Sequence, residues 1–390
     1  MRTGLEKLLD DPRRVLGRAR VGLVANPTTV DQRLRHAADL LHAHPAVDLR
    51  LLFGPEHGIR GSAQDMIGVS ESRAAATGLA EVSLYGSTFA SLSPTPQQLA
   101  EIDMLVFDVQ DVGARYYTYA ATMALCMRAA KSADVKVVVL DRPNPIGGLQ
   151  VEGGGLKRGL ENFCALYPVP QRHGLTVGEL ARLYNTTFGI GCDLEVVPCE
   201  GWRRAEYYDE TSLPWVTPSP NMPTLDTAIV YPGMCLLEGT NLSEGRGTTR
   251  PFELFGAPFI HPETLVAVLK EFKLPGVLFR PLSFQPTFQK HAGLLCGGAQ
   301  IHITDREKFK PFKTGVAILK AIHNTYPRDF TWNQPPYEYE EINLPIDILA
   351  GSSRLRKDIE SWKNLDEMEK WWKKEAKAFD KIRRKYLIYE

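Results

Sequence analysis

Several motifs that would assign a chemistry to this chain of 390 residues are missing. No G-x-G-x-x-G follows the first predicted strand and no P-loop signature is present, so nothing marks a nucleotide site. H-E-x-x-H is absent and the six cysteines form no C-x-x-C pair, which argues against a zinc hydrolase and a structural zinc site. The G-x-S-x-G elbow of serine hydrolases is missing too. We therefore expect a protein that works without a metal or a cofactor.

The chain also lacks an excess of charge of one sign and any long apolar run. Lys plus Arg and Asp plus Glu both number 46, and this zero net charge argues against nucleic acid as a partner. No apolar run reaches transmembrane length, and Met1 to Lys7 has no apolar core, so we expect neither membrane insertion nor a secretory signal within these residues. This pattern favours a cytoplasmic protein, whereas an export signal lost from the chain would place it in the periplasm or outside the cell.

What is present is an alternation of apolar strands and helices. The predicted strands are apolar throughout, as is typical of parallel strands buried on both faces, and they cover residues 20–27, 47–53, 102–109, 135–140 and 193–198. Helical spacing of apolar residues predicts helices over 31–44, 116–132 and 176–188, the last opened by a capping box of Thr176 and Glu179. The pattern predicts an α/β fold built on a Rossmann-like, doubly wound parallel sheet.

Near residue 260 the composition changes, because Lys replaces Arg as the more frequent basic residue. The following residues mix helical and extended patterns, and 365–386 is typical of a long helix that packs Trp371, Trp372 and Phe379 inward. We therefore predict a Rossmann-like catalytic domain over residues 1–260 and a smaller α+β domain over residues 261–390.

The stretch from Leu52 to Gly61 joins the end of a predicted buried strand to a polar cluster. Glycines and a proline end the strand and let the backbone turn tightly. Between them lie a carboxylate, an imidazole and a guanidinium, from Glu56, His57 and Arg60. Because open α/β folds bind ligands at the carboxyl ends of their strands, this stretch is the first candidate for an active site, with Glu56 at its centre.

Polar side chains also follow the next two predicted strands. The third strand is followed by Asp108, Asp111, Arg115, Tyr116, Tyr117 and Tyr119, and the fourth by Asp141, Arg142 and Asn144. Adjacent strand ends lie about 5 Å apart in a parallel sheet, so Glu56, Asp108 and Asp141 can share one crevice. The alternative is that both aspartates cap helices and neutralise Arg115 and Arg142.

Two later loops are too rich in proline or glycine to form regular elements. One is Pro218–Pro223, which contains Asn221, and the other runs from Glu238 to Arg250 with Asn241, Glu244 and Arg246. Their hydroxyl, amide and carboxylate groups suit a polyhydroxylated ligand, although a solvated loop held by internal salt bridges is the alternative for the second. Abundant Glu, Asp, Tyr, Arg and Asn point to glycoside hydrolysis, in which one carboxyl group protonates the leaving oxygen and a second group attacks or activates water.

At these residues the sequence resembles the bacterial exo-β-N-acetylmuramidases (NamZ- or YbbC-like), long catalogued as a domain of unknown function. The matching segments span nearly the whole chain: 22–27, 52–61, 103–122, 140–148, 168–180, 218–223, 231–255 and 288–303. The resemblance implies release of N-acetylmuramic acid from the non-reducing ends of peptidoglycan fragments. It also implies a cleft between a Rossmann-like and a smaller domain, and it favours Glu56 as a catalytic residue.

These observations predict Glu56 as general acid, with Glu244 or Glu238 as base or nucleophile and Asp108 or Asp111 in reserve. The lactyl carboxylate of muramic acid calls for a cation, for which Arg60, Arg115, Arg172 and Arg246 are the candidates. The other predicted substrate-binding residues lie in the matching segments: His57, Asp111, Tyr116, Asn144, His173, Asn221, Asn241 and His291. A non-catalytic sugar- or muropeptide-binding protein is the alternative function, and a phosphate- or nucleotide-using enzyme is a third. The sequence leaves open the second catalytic group, the stereochemical outcome and the oligomeric state.

Overall fold

The computed structural model describes residues 1–56, 58–59, 72–73 and 77–390. His57 and Arg60 therefore lie outside the described residues. The main sheet contains β1 (Arg20–Ala25), β2 (Asp48–Gly54), β3 (Ser72–Arg73), β4 (Ala80–Ser83), β5 (Met104–Asp108), β6 (Lys136–Leu140) and β7 (Leu194–Val197). Within the described residues, its order is β3-β4-β2-β1-β5-β6-β7, and all neighbours are parallel except β3 with β4.

The six parallel strands run in the order of a Rossmann fold, with the direction of winding reversing between β1 and β5. Every residue of β1 after Arg20 is buried, as are the last four residues of β5 and β6. Strands covered on both faces need apolar residues at consecutive positions, which is the pattern of this sequence. The predicted α/β, Rossmann-like fold is confirmed.

The helices that flank the sheet are α1 (Gly4–Asp10), α2 (Pro12–Leu16), α3 (Ala37–Ala43), α4 (Pro96–Leu99), α5 (Tyr119–Ser132) and α6 (Val177–Thr186). The predicted capping box at Thr176 and Glu179 opens α6 and is confirmed. Helix α3 is shorter than the predicted 31–44. The carboxylate of Asp31 accepts hydrogen bonds from the backbone N–H groups of Arg33 and Arg35, which replaces helical bonding with a turn.

The smaller α+β part has an antiparallel sheet in the order β8-β10-β9, formed by β8 (Leu254–Ala257), β9 (Val277–Phe284) and β10 (Cys296–Ile303). Its helices are α7 (Leu225–Met234), α8 (Pro262–Glu271), α9 (Pro311–Thr325), α10 (Pro345–Ala350), α11 (Arg354–Glu360) and α12 (Leu365–Arg383). Trp371, Trp372 and Phe379 of α12 are buried, as predicted. Because β8 precedes residue 260 and pairs with β10, sheet membership begins earlier than the predicted boundary, which stays a prediction.

The two sheets are joined by one continuous apolar core. A single cluster of buried side chains includes Phe107 of β5, Phe255 of β8 and Trp372 of α12. The six cysteines are free thiols and all are buried, where a thiol packs as a small apolar side chain. Across the described ranges, no helix is long and apolar enough to cross a membrane.

Candidate active site

A cavity lies beyond the carboxyl ends of β2 and β5, with walls from both parts of the molecule. The space between its walls, together with the open solvent at its mouth, is about 560 Å³. Its acidic lining residues are Glu56, Glu238 and Glu338, and Arg246 is the one cation among the described lining residues. The remaining described walls are mostly aromatic or small and polar: Tyr116, Tyr117, Thr118, Tyr119, Cys164, Ser219, Asn221, Met222, Tyr231, Phe252 and Tyr337. Carboxylates among aromatic rings suit a sugar better than a nucleotide.

Glu56 enters this cavity because β2 ends two residues before it. The backbone then turns sharply, with Gly58 N–H donating to the Pro55 carbonyl at 2.9 Å, and Gly58 has a φ of +75° that favours glycine. The Glu56 side chain is buried and accepts a hydrogen bond from the hydroxyl of Thr118 at 3.1 Å. Thr118 directly precedes α5, so the packing of this helix on the sheet fixes the orientation of Glu56.

The tyrosines near Glu56 stay protonated. Burial is the main cause that raises the pKa of Tyr119, and the negative charge of Glu56 raises it further. Burial of Tyr117 raises its pKa well above the ordinary value, with Tyr119 and Glu56 adding to the effect. These side chains therefore offer neutral hydroxyls and ring faces rather than phenolate charges.

Glu238 forms another part of the cavity wall and is held by two donors. Arg246 Nη2 donates to Glu238 Oε1 at 2.7 Å, and the Tyr337 hydroxyl donates to Glu238 Oε2 at 2.6 Å. Arg246 also stacks over the ring of Phe252, with its Cζ atom 5.2 Å from the ring centroid. With a donor on each oxygen, the Glu238 carboxylate has one fixed orientation.

Glu244 lies behind this wall in a buried ion cluster. Its carboxylate contacts Lys290 Nζ at 3.1 Å and Arg246 Nε at 3.3 Å. Burial opposes ionisation, but the charges of Lys290 and Arg246 outweigh it and lower the pKa of Glu244. Lys290 Nζ also donates to the carbonyls of Leu237 and Leu242, so the cluster holds the loop that carries Glu238 and Arg246. These contacts favour Glu238 over Glu244 as the second catalytic carboxylate.

Asp108 and Asp141 are fully buried and do not line the described cavity. Asp108 is fully buried and accepts hydrogen bonds from Arg142 Nε at 2.5 Å and Nη2 at 2.9 Å. Asp141 accepts from the backbone N–H of Gly178 and the hydroxyls of Thr176 and Tyr389. The contacts favour the alternative interpretation, in which Asp108 neutralises Arg142 and Asp141 caps the start of α6.

Two of the arginines that were predicted to bind the lactyl carboxylate donate hydrogen bonds to backbone carbonyls instead. Arg115 is buried and donates to the carbonyls of Gly154, Val169 and Leu349, and burial lowers its pKa to about 10. Arg172 is also buried and donates to the Ile146 carbonyl and to Gln150. Neither lines the described cavity, so Arg246 is the described candidate that reaches it.

Several predicted binding residues hold loops. Asn144 bridges the Leu175 carbonyl and the Ile146 N–H, and the Asn241 side chain binds the backbone at residues 329 and 331. His291 Nε2 lies 2.7 Å from the Asn241 carbonyl, and His173 Nε2 lies 3.4 Å from Asp111 Oδ2. His173 Nδ1 accepts from the Leu175 N–H, which leaves its proton on the nitrogen that faces Asp111. These residues do not line the described cavity.

The structure thus brings together Glu56, Glu238, Tyr116, Asn221 and Arg246 of the predicted site residues. The hydroxyl of Tyr116 is bound to the Pro232 carbonyl, so this side chain offers its ring. The site assignment itself stays a prediction.

Sequence reasoning missed Tyr231, Tyr337 and Glu338, which also line the cavity. The last two follow Pro335 and Pro336, a proline-rich signal of the same kind as Pro218–Pro223. In the parts of the chain that the structure describes, no group of His, Cys, Asp and Glu is arranged to hold a metal ion.

Comparisons with known proteins match this chain over nearly its full length. The family model described as "Exo-beta-N-acetylmuramidase NamZ, N-terminal" matches residues 21–226, and the corresponding C-terminal model matches residues 229–389. The chain is 46% identical over 389 residues to the peptidoglycan β-N-acetylmuramidase NamZ of Bacillus subtilis (strain 168), covering 100% of this chain and 91% of that protein.

Two crystal structures of DUF1343 family proteins from Bacteroides fragilis NCTC 9343 are similar to this fold. One has a TM-score of 0.89 and 34% identity, and the other has a TM-score of 0.77 and 28% identity. Each comparison covers 100% of this chain and 99% of the other chain. Matching models for both parts of the molecule and a full-length relative lead to one conclusion: this chain belongs to the exo-β-N-acetylmuramidase NamZ family.

Proposed function

We infer that this chain is a glycoside hydrolase that releases N-acetylmuramic acid from the non-reducing end of peptidoglycan fragments. Its family and its 46% identity to a curated peptidoglycan β-N-acetylmuramidase support this activity. The structural observation that carries the mechanism is the shared cavity of Glu56 and Glu238. Most glycoside hydrolases use two carboxyl groups that flank the scissile bond.

Glu56 acts as the general acid in this proposal. It is buried beside tyrosine rings in the cavity, and a general acid must hold its proton until the leaving oxygen takes it. Its hydrogen bond from Thr118 fixes the carboxyl group, which then protonates the glycosidic oxygen as the bond to the anomeric carbon breaks.

Glu238 is the second catalytic group. Arg246 and Tyr337 each hold one of its oxygens, so the carboxylate is oriented before substrate arrives. It attacks the anomeric carbon if the enzyme retains configuration, or it removes a proton from the attacking water if the enzyme inverts. The anomer of the first product distinguishes these two mechanisms.

The substrate we propose is a fragment with muramic acid at its non-reducing end, such as a MurNAc–GlcNAc disaccharide or a muropeptide. Where no peptide is attached, its lactyl carboxylate distinguishes muramic acid from N-acetylglucosamine and needs a cation. Arg246 is the described cavity residue with that charge, and its guanidinium, which also holds Glu238, attracts the lactyl carboxylate. Tyr117 and Tyr119 offer ring surfaces for the sugar.

The test uses the disaccharide with muramic acid at the non-reducing end and follows the product by NMR. A fragment that ends in N-acetylglucosamine is the control, and we expect release only from the first. Equal release from both would overturn the muramic acid specificity. A Glu56→Gln variant that cleaved a chromogenic muramide at near the wild-type rate would remove Glu56 from the mechanism. The non-catalytic binding alternative is not favoured, because the full-length relative is a curated enzyme.

A further inference from the structure

A strained backbone turn lies beside Glu238. The N–H of Tyr337 donates to the Glu340 carbonyl at 2.8 Å, and the N–H of Glu340 donates to the Tyr337 carbonyl at 2.9 Å. The two residues between them, Glu338 and Tyr339, have φ values of +46° and +62°. Two-residue turns with both central residues at positive φ favour Asn-Gly or Asp-Gly, because other side chains are strained there.

The surroundings of this turn hold it in place against the strain. The Tyr339 hydroxyl donates to the Gly86 carbonyl at 2.8 Å, and its ring packs edge-on against Tyr85 and Phe163. These partners belong to the Rossmann-like part of the molecule, whereas the turn follows α9. The turn therefore fixes one part of the molecule against the other at the edge of the cavity.

The strained geometry delivers two side chains to the cavity. Tyr337 reaches Glu238 Oε2 with its hydroxyl at 2.6 Å, and Glu338 lines the same space as Glu56. After burial, the charges of Glu56 and then Glu338 raise the pKa of Tyr85, so both carboxylates act on the same ring. Strained residues that the surrounding structure over-determines are concentrated at functional sites. A turn that only reversed the chain would be more stable with Asn-Gly.

We propose that two side chains of this turn are part of the active site: Tyr337 positions Glu238, and Glu338 accepts a hydrogen bond from the bound sugar. This inference rests on the proposed function. An ionised carboxylate only accepts hydrogen bonds. A muramic acid residue at a non-reducing end offers matching donors, namely its free hydroxyl groups and its acetamido N–H. The oxygen on C3 of the sugar belongs to the lactyl ether and has no hydrogen to donate.

The test measures kcat and KM for muramic acid release by full-length variants. Tyr337→Phe keeps the ring and removes the donor to Glu238, so we expect kcat to fall about 10- to 100-fold with KM changed less than about threefold. Glu338→Gln keeps the shape and removes the charged acceptor, so we expect kcat/KM to fall about 10- to 100-fold, chiefly through KM.

Matched controls carry the same changes outside the cavity. Tyr208→Phe removes a hydroxyl that donates to the Pro214 carbonyl at 3.1 Å. Glu340→Gln changes a carboxylate of the same turn that accepts from the N–H groups of Ile342 and Asn343. We expect both controls to keep kcat and KM within about twofold of wild type, since neither side chain lines the described cavity.

Glu338→Gly separates a role in function from a role in folding. Glycine adopts positive φ without strain, so we expect the melting temperature to stay equal or to rise while kcat/KM falls as in Glu338→Gln. A Glu338→Gly protein with unchanged kcat/KM would overturn the role of Glu338, and a Tyr337→Phe protein that matched Tyr208→Phe would overturn that of Tyr337. A wild-type protein that released no muramic acid would instead overturn the proposed function, and this inference with it.

Discussion

Glu56 lies just after β2 and Asp108 is the last residue of β5, and both strands neighbour β1, yet the surroundings of the two carboxylates are opposite. Glu56 lines a cavity and accepts a hydrogen bond from a neutral hydroxyl. Asp108 is fully buried and is neutralised by a guanidinium that contacts both of its oxygens. The difference teaches that a strand end supplies a position for a carboxylate, while access to a cavity decides whether that carboxylate serves the fold or remains for chemistry.

The largest expected effect is on catalysis, at the cavity member of this pair. We expect Glu56→Gln to lower kcat about 1000-fold, because the amide cannot donate the proton that the leaving oxygen needs. The melting temperature should change much less than the rate, since the amide keeps the shape of the side chain and still accepts from Thr118. Initial rates with a chromogenic muramide and a thermal melt measure both quantities. A large fall in melting temperature would show that Glu56 also supports the fold.

Asp108, the fully buried carboxylate of this pair, should show the reverse pattern, with a large loss of stability and little loss of activity. We expect Asp108→Asn to lower the free energy of unfolding by about 3 to 5 kcal/mol, because it leaves Arg142 buried without its counter-charge. Activity per folded molecule should stay within a factor of about three. Urea unfolding together with active-site titration separates the two. Asp103→Asn is the control, since the Arg20–Asp103 pair is exposed and should contribute much less. A folded but inactive Asp108→Asn protein would return Asp108 to the catalytic site.

A substitution of Glu244, in the buried ion cluster, should affect both stability and activity, and so lies between the effects expected at Glu56 and Asp108. Its pKa is lowered in the folded protein, so its stabilising contribution is present above the ordinary carboxyl pKa and is lost as the pH falls through the folded value. We expect Glu244→Gln to be less stable than wild type at pH 7 by about 2 to 3 kcal/mol and to lose less stability on acidification. We also expect kcat to fall about tenfold, because Arg246 and Lys290 lose an anchor. Urea unfolding from pH 3 to 7 measures the first effect, and a loss of activity as large as that of Glu56→Gln would favour Glu244 as the catalytic partner.

The smallest expected effect is the pH dependence of Asp141. Burial raises its pKa to about 6, although hydrogen bonds from Tyr389, Gly178 and Thr176 oppose the shift. Because the folded pKa lies above the unfolded one, its contribution is fully present below the unfolded value and is lost as the pH rises through 6. We expect Asp141→Asn to reduce this loss, by about 1 to 3 kcal/mol between pH 4 and 7. Urea unfolding at several pH values measures this. If the free energy of unfolding changed equally with pH in the wild type and in Asp141→Asn, the raised pKa of Asp141 would be contradicted.

The fold was largely predictable because its strands are buried on both faces. Such strands need consecutive apolar residues, and that local pattern survives in the sequence at β1, β5 and β6. Helix α3 was predicted too long because the carboxylate of Asp31 takes backbone donors, a local competition that apolar spacing does not report. The candidate site was predictable only where a residue follows a strand or lies in a loop full of breakers, as Glu56 and Glu238 do.

By itself the sequence determined the alternation of strands and helices, the sharp turn after β2 and the presence of Glu56 at its end. The tertiary structure decided which cation meets which carboxylate. Thr118 reaches Glu56 across 62 positions of the chain, and Tyr337 reaches Glu238 across 99. Hydrogen bonds and charges act through space over a few ångströms, so they depend on how distant segments pack, whereas the periodicity of apolar residues is written in neighbouring positions.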